Sequence, residues 1–100
     1  MKYKNKKTVF NGRKYDSQKE ALRACQLEQL LKDGDISLLE YQVPHPLFVN
    51  GKLVCTYKAD FTYYLNGKLI VEDVKGYKTA IYQLKKKLLK ACLGIDILET

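Results

Sequence analysis

Along the chain, alternating hydrophobic and polar residues are interrupted three times by the dipeptide Asn-Gly, at positions 11–12, 50–51 and 66–67. Each dipeptide lies between two segments that can form strands. Asn-Gly favours the type I′ turn of a β-hairpin because both central residues of that turn have positive φ. The pattern therefore predicts three hairpins.

Two segments have the spacing of helices instead. Residues 17–34 begin with Ser17 as an N-cap and have Glu20 three positions later, as in a capping box. Residues 79–94 repeat hydrophobic side chains at intervals of three and four. Both segments end at a glycine, a common helix terminator. The apolar face predicted for the second helix consists of Ile81, Leu84, Leu88 and Cys92.

Two further segments, residues 36–42 and residues 95–99, are predicted to be strands. Residues 43–47 are predicted to form an extended connection, because Pro44 and Pro46 have no N–H for a central ladder. The order of these elements predicts an α/β fold with a mixed sheet of about four main strands, two flanking helices and a small N-terminal hairpin.

Length and composition fit a single domain over residues 1–100, with residues 1–7 as a loose basic tail. Hydrophobic residues make up 46% of the chain, too many for a disordered protein, and no apolar run is long enough for a membrane span. The basic start leads into no hydrophobic segment of a secretory signal. We therefore expect a cytoplasmic protein without a membrane partner.

Net charge and cysteine spacing limit the possible partners and metal sites. The 18 Lys and Arg residues against 11 acids give a net charge of +7, which favours a polyanionic partner such as nucleic acid. Cys25, Cys55 and Cys92 are odd in number and widely spaced, so we expect buried thiols rather than disulfides or a zinc site. His45 lies between two prolines without a neighbouring ligand residue, so no zinc or general-base role is expected.

The segment LNGKLIVEDVKGYKT, residues 65–79, places acids and a lysine in a run otherwise typical of a buried strand. A two-residue turn at its Asn-Gly pairs Asp60 with Asp73 across the hairpin. Opposed side chains have Cβ atoms about 4.5 to 5.5 Å apart, so these carboxylates repel unless they are compensated. Because side chains alternate along a strand, Lys75 is predicted on the face of Asp73, and Glu72 on the other face.

A third acid, Glu20, lies on the stripe of the first helix that should face the sheet. That stripe comprises Glu20, Ala24, Leu27 and Leu31. A carboxylate there is costly unless it meets a cation, so Glu20 either joins the strand acids or only completes the capping box with Ser17. For the two strand acids, the alternative is an exposed hairpin face neutralised by Lys58 and Lys75.

The segment YKADF and, twelve residues on, EDVKG resemble the motif of the PD-(D/E)XK nuclease superfamily. The longer run from Thr8 to Thr79 resembles small phage and prophage proteins of that superfamily, described as endonucleases or Holliday-junction-resolvase-like. The motif residues implied by the resemblance are Asp60 as the first metal ligand, Asp73 as the variable acid, Lys75 as the lysine and Glu20 as the acid of the first helix. Ala59 replaces the proline of the motif, and the neighbouring Glu72 leaves the identity of the second ligand open, although strand alternation and the acid-x-Lys spacing favour Asp73.

The resemblance implies metal-dependent hydrolysis of DNA phosphodiester bonds. Carboxylate oxygens suit Mg²⁺ or Mn²⁺, the Val74 carbonyl is a further candidate ligand, and Lys75 would stabilise charge at the phosphate. DNA contacts are expected from a basic cluster on and before the second helix. That cluster comprises Lys78, Tyr82, Lys85, Lys86, Lys87 and Lys90, with Gln83 beside Tyr82 as a further phosphate or water contact. The remaining tyrosines expected to pack with solvated hydroxyls are Tyr57, Tyr63, Tyr64 and Tyr77.

Two alternatives stay open at this point. The chain could be a nucleic-acid-binding module of the same fold that performs no chemistry, or a small structural or regulatory protein whose basic face meets an acidic partner. Opposed acids argue against a simple binder. The resolvase resemblance implies branched DNA as a substrate and a homodimer, with residues 36–41 or the N-terminal hairpin as the expected contact.

Overall fold

Six strands and two helices make up the fold in this computed structural model, which describes residues 7–100. The elements are β1 (Thr8–Phe10), β2 (Arg13–Tyr15), α1 (Gln18–Lys32), β3 (Ser37–Val49), β4 (Lys52–Leu65), β5 (Lys68–Asp73), α2 (Ala80–Leu93) and β6 (Ile97–Glu99). β1 and β2 form a small antiparallel hairpin. The other strands form a mixed sheet in the order β3-β4-β5-β6, with β6 parallel to β5. The predicted fold class is confirmed.

The three Asn-Gly turns form as predicted. Their asparagines have φ of 50°, 51° and 52°, and their glycines have φ of 75°, 77° and 77°. The last turn sets the register of β4 against β5, with Leu65 opposite Lys68 and Thr62 opposite Val71. Because this register continues to Phe61 opposite Glu72, the next positions along the two strands are Asp60 and Asp73, as predicted.

The predicted connection at residues 43–47 was wrong, because these residues belong to β3. Pro44 lies opposite Lys58 and Pro46 lies opposite Thr56. β3 is the outermost strand of the sheet, and an edge strand tolerates proline because one of its sides needs no ladder hydrogen bonds. The N-terminal tail predicted for residues 1–7 lies outside the described residues except for Lys7, which forms an ion pair with Asp16 at 3.9 Å.

The two helices cover opposite faces of the sheet. Ala24 and Leu27 of α1 pack in one buried cluster with Phe61 and Tyr63. Tyr82 and Leu89 of α2 belong to a second cluster, with Tyr57, Ala59 and Val71. Positions 57, 59, 61 and 63 of β4 should share one face, yet the first pair faces α2 and the second pair faces α1. The alternation of β4 therefore breaks at Asp60.

Several predictions of burial were wrong. On α2, Ile81 and Leu84 are 68% and 58% exposed, because the helix is turned so that Tyr82 and Leu89 face the sheet. Leu31 of α1 is 41% exposed at the end of that helix. The cysteines are not buried thiols, since Cys25 is exposed and the others are only half-buried. Among residues 7–100, no helix has the length and apolar character needed to cross a membrane.

Candidate active site

Asp60 and Asp73 meet where the β4–β5 hairpin ends, and neighbouring groups fix each carboxylate. The backbone N–H of Val74 donates to Asp60 Oδ2 at 2.9 Å. The hydroxyl of Tyr57 donates to Asp73 Oδ2 at 2.6 Å. Burial raises the pKa of Asp73, and the adjacent Asp60 carboxyl raises it further, while Tyr57 and Lys75 act in the opposite direction. The sequence-predicted pair of opposed acids is therefore present.

The second oxygen of Asp73 has no hydrogen-bond partner. Asp73 is 1% exposed, and its Oδ1 is buried and unpaired among the described residues. The ammonium group of Lys75 lies 3.4 Å from this oxygen, close enough for an ion pair but without forming a hydrogen bond. Because buried polar atoms are nearly always satisfied, this oxygen is expected to accept from a water molecule or to contact a cation.

Lys75 is held between Asp73 and an aromatic ring, on the face predicted for it. Its Nζ lies 4.3 Å from the ring centroid of Tyr82, a favourable position for a cation. Its backbone is fixed by an N–H bond to the Thr100 carbonyl at 3.1 Å and by Lys19 Nζ, which donates to the Lys75 carbonyl at 3.2 Å. The ammonium group is therefore positioned beside the unpaired oxygen.

Glu20 joins these acids through a glutamine that the sequence did not single out. Gln42 Nε2 donates to Glu20 Oε2 at 3.1 Å and to Asp60 Oδ1 at 3.3 Å. Burial raises the pKa of Glu20 to about 7, with further contributions from Asp60 and Asp16. The N–H of Glu20 also donates to the Ser17 hydroxyl at 3.1 Å. Glu20 therefore takes part both in the helix cap and in the acid cluster.

Gln42 adopts an unusual backbone conformation. Its φ is 52°, in the left-handed region that a long polar side chain rarely occupies. It lies on β3 between Tyr41, opposite Phe61, and Val43, opposite Ala59, and therefore beside the break at Asp60. Backbone strain of this kind persists only where the surrounding structure fixes it, and it is concentrated at functional sites.

The neighbouring acid Glu72 has a different environment. It is fully buried on the α1 side, where Arg23 forms a two-pronged ion pair with its carboxylate. Tyr63 and Thr100 also donate hydroxyl hydrogen bonds to it, at 2.6 and 2.9 Å. Both oxygens of Glu72 are therefore satisfied by the protein. This geometry favours Asp73 over Glu72 as the available acid.

The three acids do not form a ready-made metal centre. Within residues 7–100, no group of three or more His, Cys, Asp or Glu side chains is arranged to hold a metal ion. Instead, Gln42 links Glu20 to Asp60, and Asp60 lies beside Asp73. His45 takes no part in this arrangement, and its Nδ1 lies 3.2 Å from the Val43 carbonyl.

The lysines predicted to contact DNA separate into two groups. Lys78, Lys86, Lys87 and Lys90 line one groove beside α2, whereas Lys85 lies outside that groove and is half-buried. Tyr82 is 7% exposed, and its hydroxyl donates to Glu99 at 2.7 Å. A buried side chain of this kind does not favour the predicted direct contact of Tyr82 with DNA. The Tyr82 ring instead packs against the Lys75 ammonium group.

The family to which the chain belongs follows from its sequence match. Residues 1–93 match the family described as "Protein of unknown function (DUF1064)". The chain belongs to this family. The matched residues include Glu20, Gln42, Asp60, Asp73 and Lys75, so the whole acid cluster lies within the region that this DUF1064 protein shares with its family. No curated protein and no solved structure matches the chain.

Two tyrosine hydroxyls predicted to be solvated are buried instead. Tyr57 and Tyr63 are each 3% exposed, and each donates a hydrogen bond to a carboxylate, Asp73 and Glu72 respectively. Tyr64 and Tyr77 are 37% and 56% exposed. Burial and these hydrogen bonds leave the hydroxyls of Tyr57 and Tyr63 as fixed donors, which the sequence pattern alone did not indicate.

Proposed function

We propose that this protein is a metal-dependent deoxyribonuclease of the PD-(D/E)XK type, with Asp60, Asp73 and Lys75 at its centre. The observation that supports this function most directly is the buried, unpaired Oδ1 of Asp73 beside a second carboxylate and an ammonium group. Without a ligand, this buried oxygen has the Lys75 ammonium group at 3.4 Å as its counter-charge and no hydrogen-bond donor.

The residues present fit a small divalent cation. Asp60 and Asp73 supply carboxylate oxygens, the Gln42 amide links Glu20 to Asp60, and the Val74 N–H donates to Asp60. Oxygen ligands of this kind suit Mg²⁺ or Mn²⁺. Such an ion, when bound, would lower the pKa of a water molecule and neutralise charge on the scissile phosphate.

The protein's own side chains then orient the substrate. Lys75, steadied by the Tyr82 ring, lies where its ammonium group can contact a non-bridging phosphate oxygen. Tyr57 fixes the orientation of Asp73 by donating to Oδ2, which leaves Oδ1 available. Asp60 is held at both oxygens, because the Val74 N–H donates to its Oδ2 and the Gln42 amide donates to its Oδ1. These contacts pre-organise the site before DNA binds.

One observation favours the alternative of a DNA-binding module without chemistry. The acid side chains of residues 7–100 do not converge into a three-residue metal group. In that case the lysine-rich groove would bind nucleic acid while the acids serve only the fold. Cleavage and metal binding distinguish the two proposals.

The deciding experiment is a cleavage assay on linear, flapped and four-way DNA, with Mg²⁺, Mn²⁺ or EDTA. The wild-type protein should cut in the presence of either metal and not in EDTA, and Asp73→Asn should not cut. Asp35→Asn is the matched control, because Asp35 is an exposed acid between α1 and β3 and takes no part in the hydrogen bonds that join Glu20, Gln42 and Asp60. Equal activity of the two variants, or none in wild type, would contradict the nuclease proposal.

Branched-DNA preference and a homodimer belong to the same proposal. β3 is at the edge of the sheet, so residues 36–41, the predicted contact, include residues of an edge strand. Sedimentation with and without a four-way junction tests the assembly. A strict monomer that cuts linear and branched DNA equally would contradict the resolvase role and leave the nuclease proposal intact.

A further inference from the structure

A groove outside the acid cluster lies between α2 and the edge strand β6. Its cavity volume is about 590 Å³, within the range in which small-molecule sites occur. Gln83 and Lys87 of α2 line one side, and Asp96 and Ile97 lie on the other. The groove is therefore large enough for one nucleotide-sized ligand.

The chemistry of this groove is divided between an apolar floor and a basic rim. Ala91, Ile95 and Ile97 supply the apolar surface. The rim contains four lysines, Lys78, Lys86, Lys87 and Lys90, against the acids Asp96 and Glu99. A ligand that matches both parts has an apolar body and carries negative charge. A nucleotide has this combination, with a base to cover the three aliphatic side chains and phosphates for the lysines.

Glu99 holds two of these lysines in place. Its carboxylate accepts ion pairs from Lys78 at 3.1 Å and Lys86 at 3.2 Å, and Tyr82 donates its hydroxyl to the same group. A phosphate that enters the groove would compete with Glu99 for these ammonium groups. The groove thus has cations that are pre-positioned and internally neutralised.

Tyr82 also connects the groove to the acid cluster. Its hydroxyl donates to Glu99, which lines the groove, and its ring centroid lies 4.3 Å from Lys75 Nζ. One tyrosine side chain therefore separates the two sites. Glu99 is also the β6 residue paired with Asp73 of β5, so a nucleotide beside a phosphodiester at Lys75 and Asp73 would lie one strand from the groove.

We propose that this groove binds an unpaired nucleotide of the DNA strand that is cleaved at Asp60, Asp73 and Lys75. This inference rests on the proposed function and names its substrate class, which is DNA with unpaired nucleotides beside the cut. A paired duplex presents its phosphates but keeps its bases stacked inside, so only an unpaired base reaches a concave apolar floor. The lysines alone would attract any duplex equally.

Binding in EDTA tests the groove without cleavage. Fluorescence anisotropy compares a single-stranded oligonucleotide, a duplex with a short single-stranded flap and a blunt duplex of equal length. Wild type should prefer the first two substrates. Ala91→Glu places a carboxylate among the apolar lining residues and should weaken flap binding by about tenfold relative to the matched control, Leu93→Glu, because the new charge repels phosphate. Both positions are exposed on the same helix, but only Ala91 lines the groove.

Two further arms complete the test. Glu99→Gln frees Lys78 and Lys86 and should tighten binding of the flap. Equal weakening of flap binding by Ala91→Glu and Leu93→Glu would overturn the proposal that the groove binds the nucleotide. Displacement of the flap by free thymidine monophosphate at concentrations comparable to the oligonucleotide would overturn the assignment to a DNA strand. Because no metal is present, loss of groove binding is distinguishable from loss of nuclease activity, which Asp73→Asn reports separately.

Discussion

Glu72 and Asp73 are consecutive residues of one strand, both buried, and yet the protein treats them differently. On the α1 side, Glu72 receives hydrogen bonds from Arg23, Tyr63 and Thr100. On the α2 side, Asp73 has one hydroxyl donor, and its other oxygen is left open beside Lys75. Burial alone therefore does not distinguish the two acids. They differ in that hydrogen bonds satisfy both oxygens of Glu72 but only one oxygen of Asp73.

Cleavage should show the largest difference between the two acids. Asp73→Asn, and likewise Asp60→Asn or Lys75→Ala, should reduce the rate of DNA cleavage by about 100-fold or more, since each removes a group that we propose to contact the phosphate or its cation. Glu72→Gln should cleave at nearly the wild-type rate per folded molecule, measured at low temperature. A large loss of cleavage in a correctly folded Glu72→Gln protein would show that Glu72 also takes part in catalysis.

Stability should show the reverse order. Glu72→Ala leaves the Arg23 guanidinium, whose side chain is only 25% exposed, without its partner, and should lower the free energy of unfolding by about 3 kcal/mol. Asp73→Asn relieves repulsion with Asp60 and should leave metal-free stability unchanged or higher. Urea unfolding in EDTA measures both. Equal destabilisation by the two substitutions would show that Asp73 is also a structural acid.

The opposition of Asp60 and Asp73 could be predicted because a two-residue turn fixes register along the whole hairpin. The hydrogen bond from Tyr57 to Asp73 could not be predicted. Strict alternation puts Tyr57 on the face opposite Asp60, and only the break in β4 brings it to Asp73. The rotation of α2 about its axis was not predicted either, because it depends on a tertiary hydrogen bond. The hydrophobic spacing predicted that Ile81 faces the sheet, but Tyr82 faces it instead and donates its hydroxyl to Glu99.

A divalent cation should stabilise the folded protein through Asp60 and Asp73 and not through Glu72. Mn²⁺ or Mg²⁺ at about 100 times its dissociation constant should add roughly 2.7 kcal/mol to the free energy of unfolding if it binds the folded state alone. Thermal unfolding should show this shift in wild type, in Asp35→Asn and in a folded Glu72→Gln protein. The shift should be absent in Asp73→Asn and Asp60→Asn. Its persistence in both variants would place the cation elsewhere.

Metal-free stability should fall as the pH rises towards neutrality. The pKa of Glu20 is raised by burial from 4.5 to about 7 in the folded protein. The folded state therefore binds more protons than the unfolded state between these values, so its stability contribution is complete below pH 4.5 and is lost as the pH passes through about 7. Asp73, whose pKa is also raised, acts in the same direction.

Substitution of Glu20 isolates its share of this pH dependence. Glu20→Gln should flatten, without abolishing, the decline in the free energy of unfolding across that range, as followed by urea titrations in EDTA. An identical slope in wild type and Glu20→Gln would show that Glu20 is ionised throughout.

The smallest effect concerns the strained backbone at Gln42. Gln42→Met removes the amide that bridges Glu20 and Asp60, and should lower metal-free stability by about 1 kcal/mol. Gln42→Gly removes the same amide but accepts a φ of 52° without strain, which is worth about 1 to 2 kcal/mol. The glycine variant should therefore be the more stable of the two, while both bind Mn²⁺ more weakly than wild type. If methionine and glycine give equal stability, the conformation of Gln42 carries no strain, and its amide alone accounts for its place beside the acids.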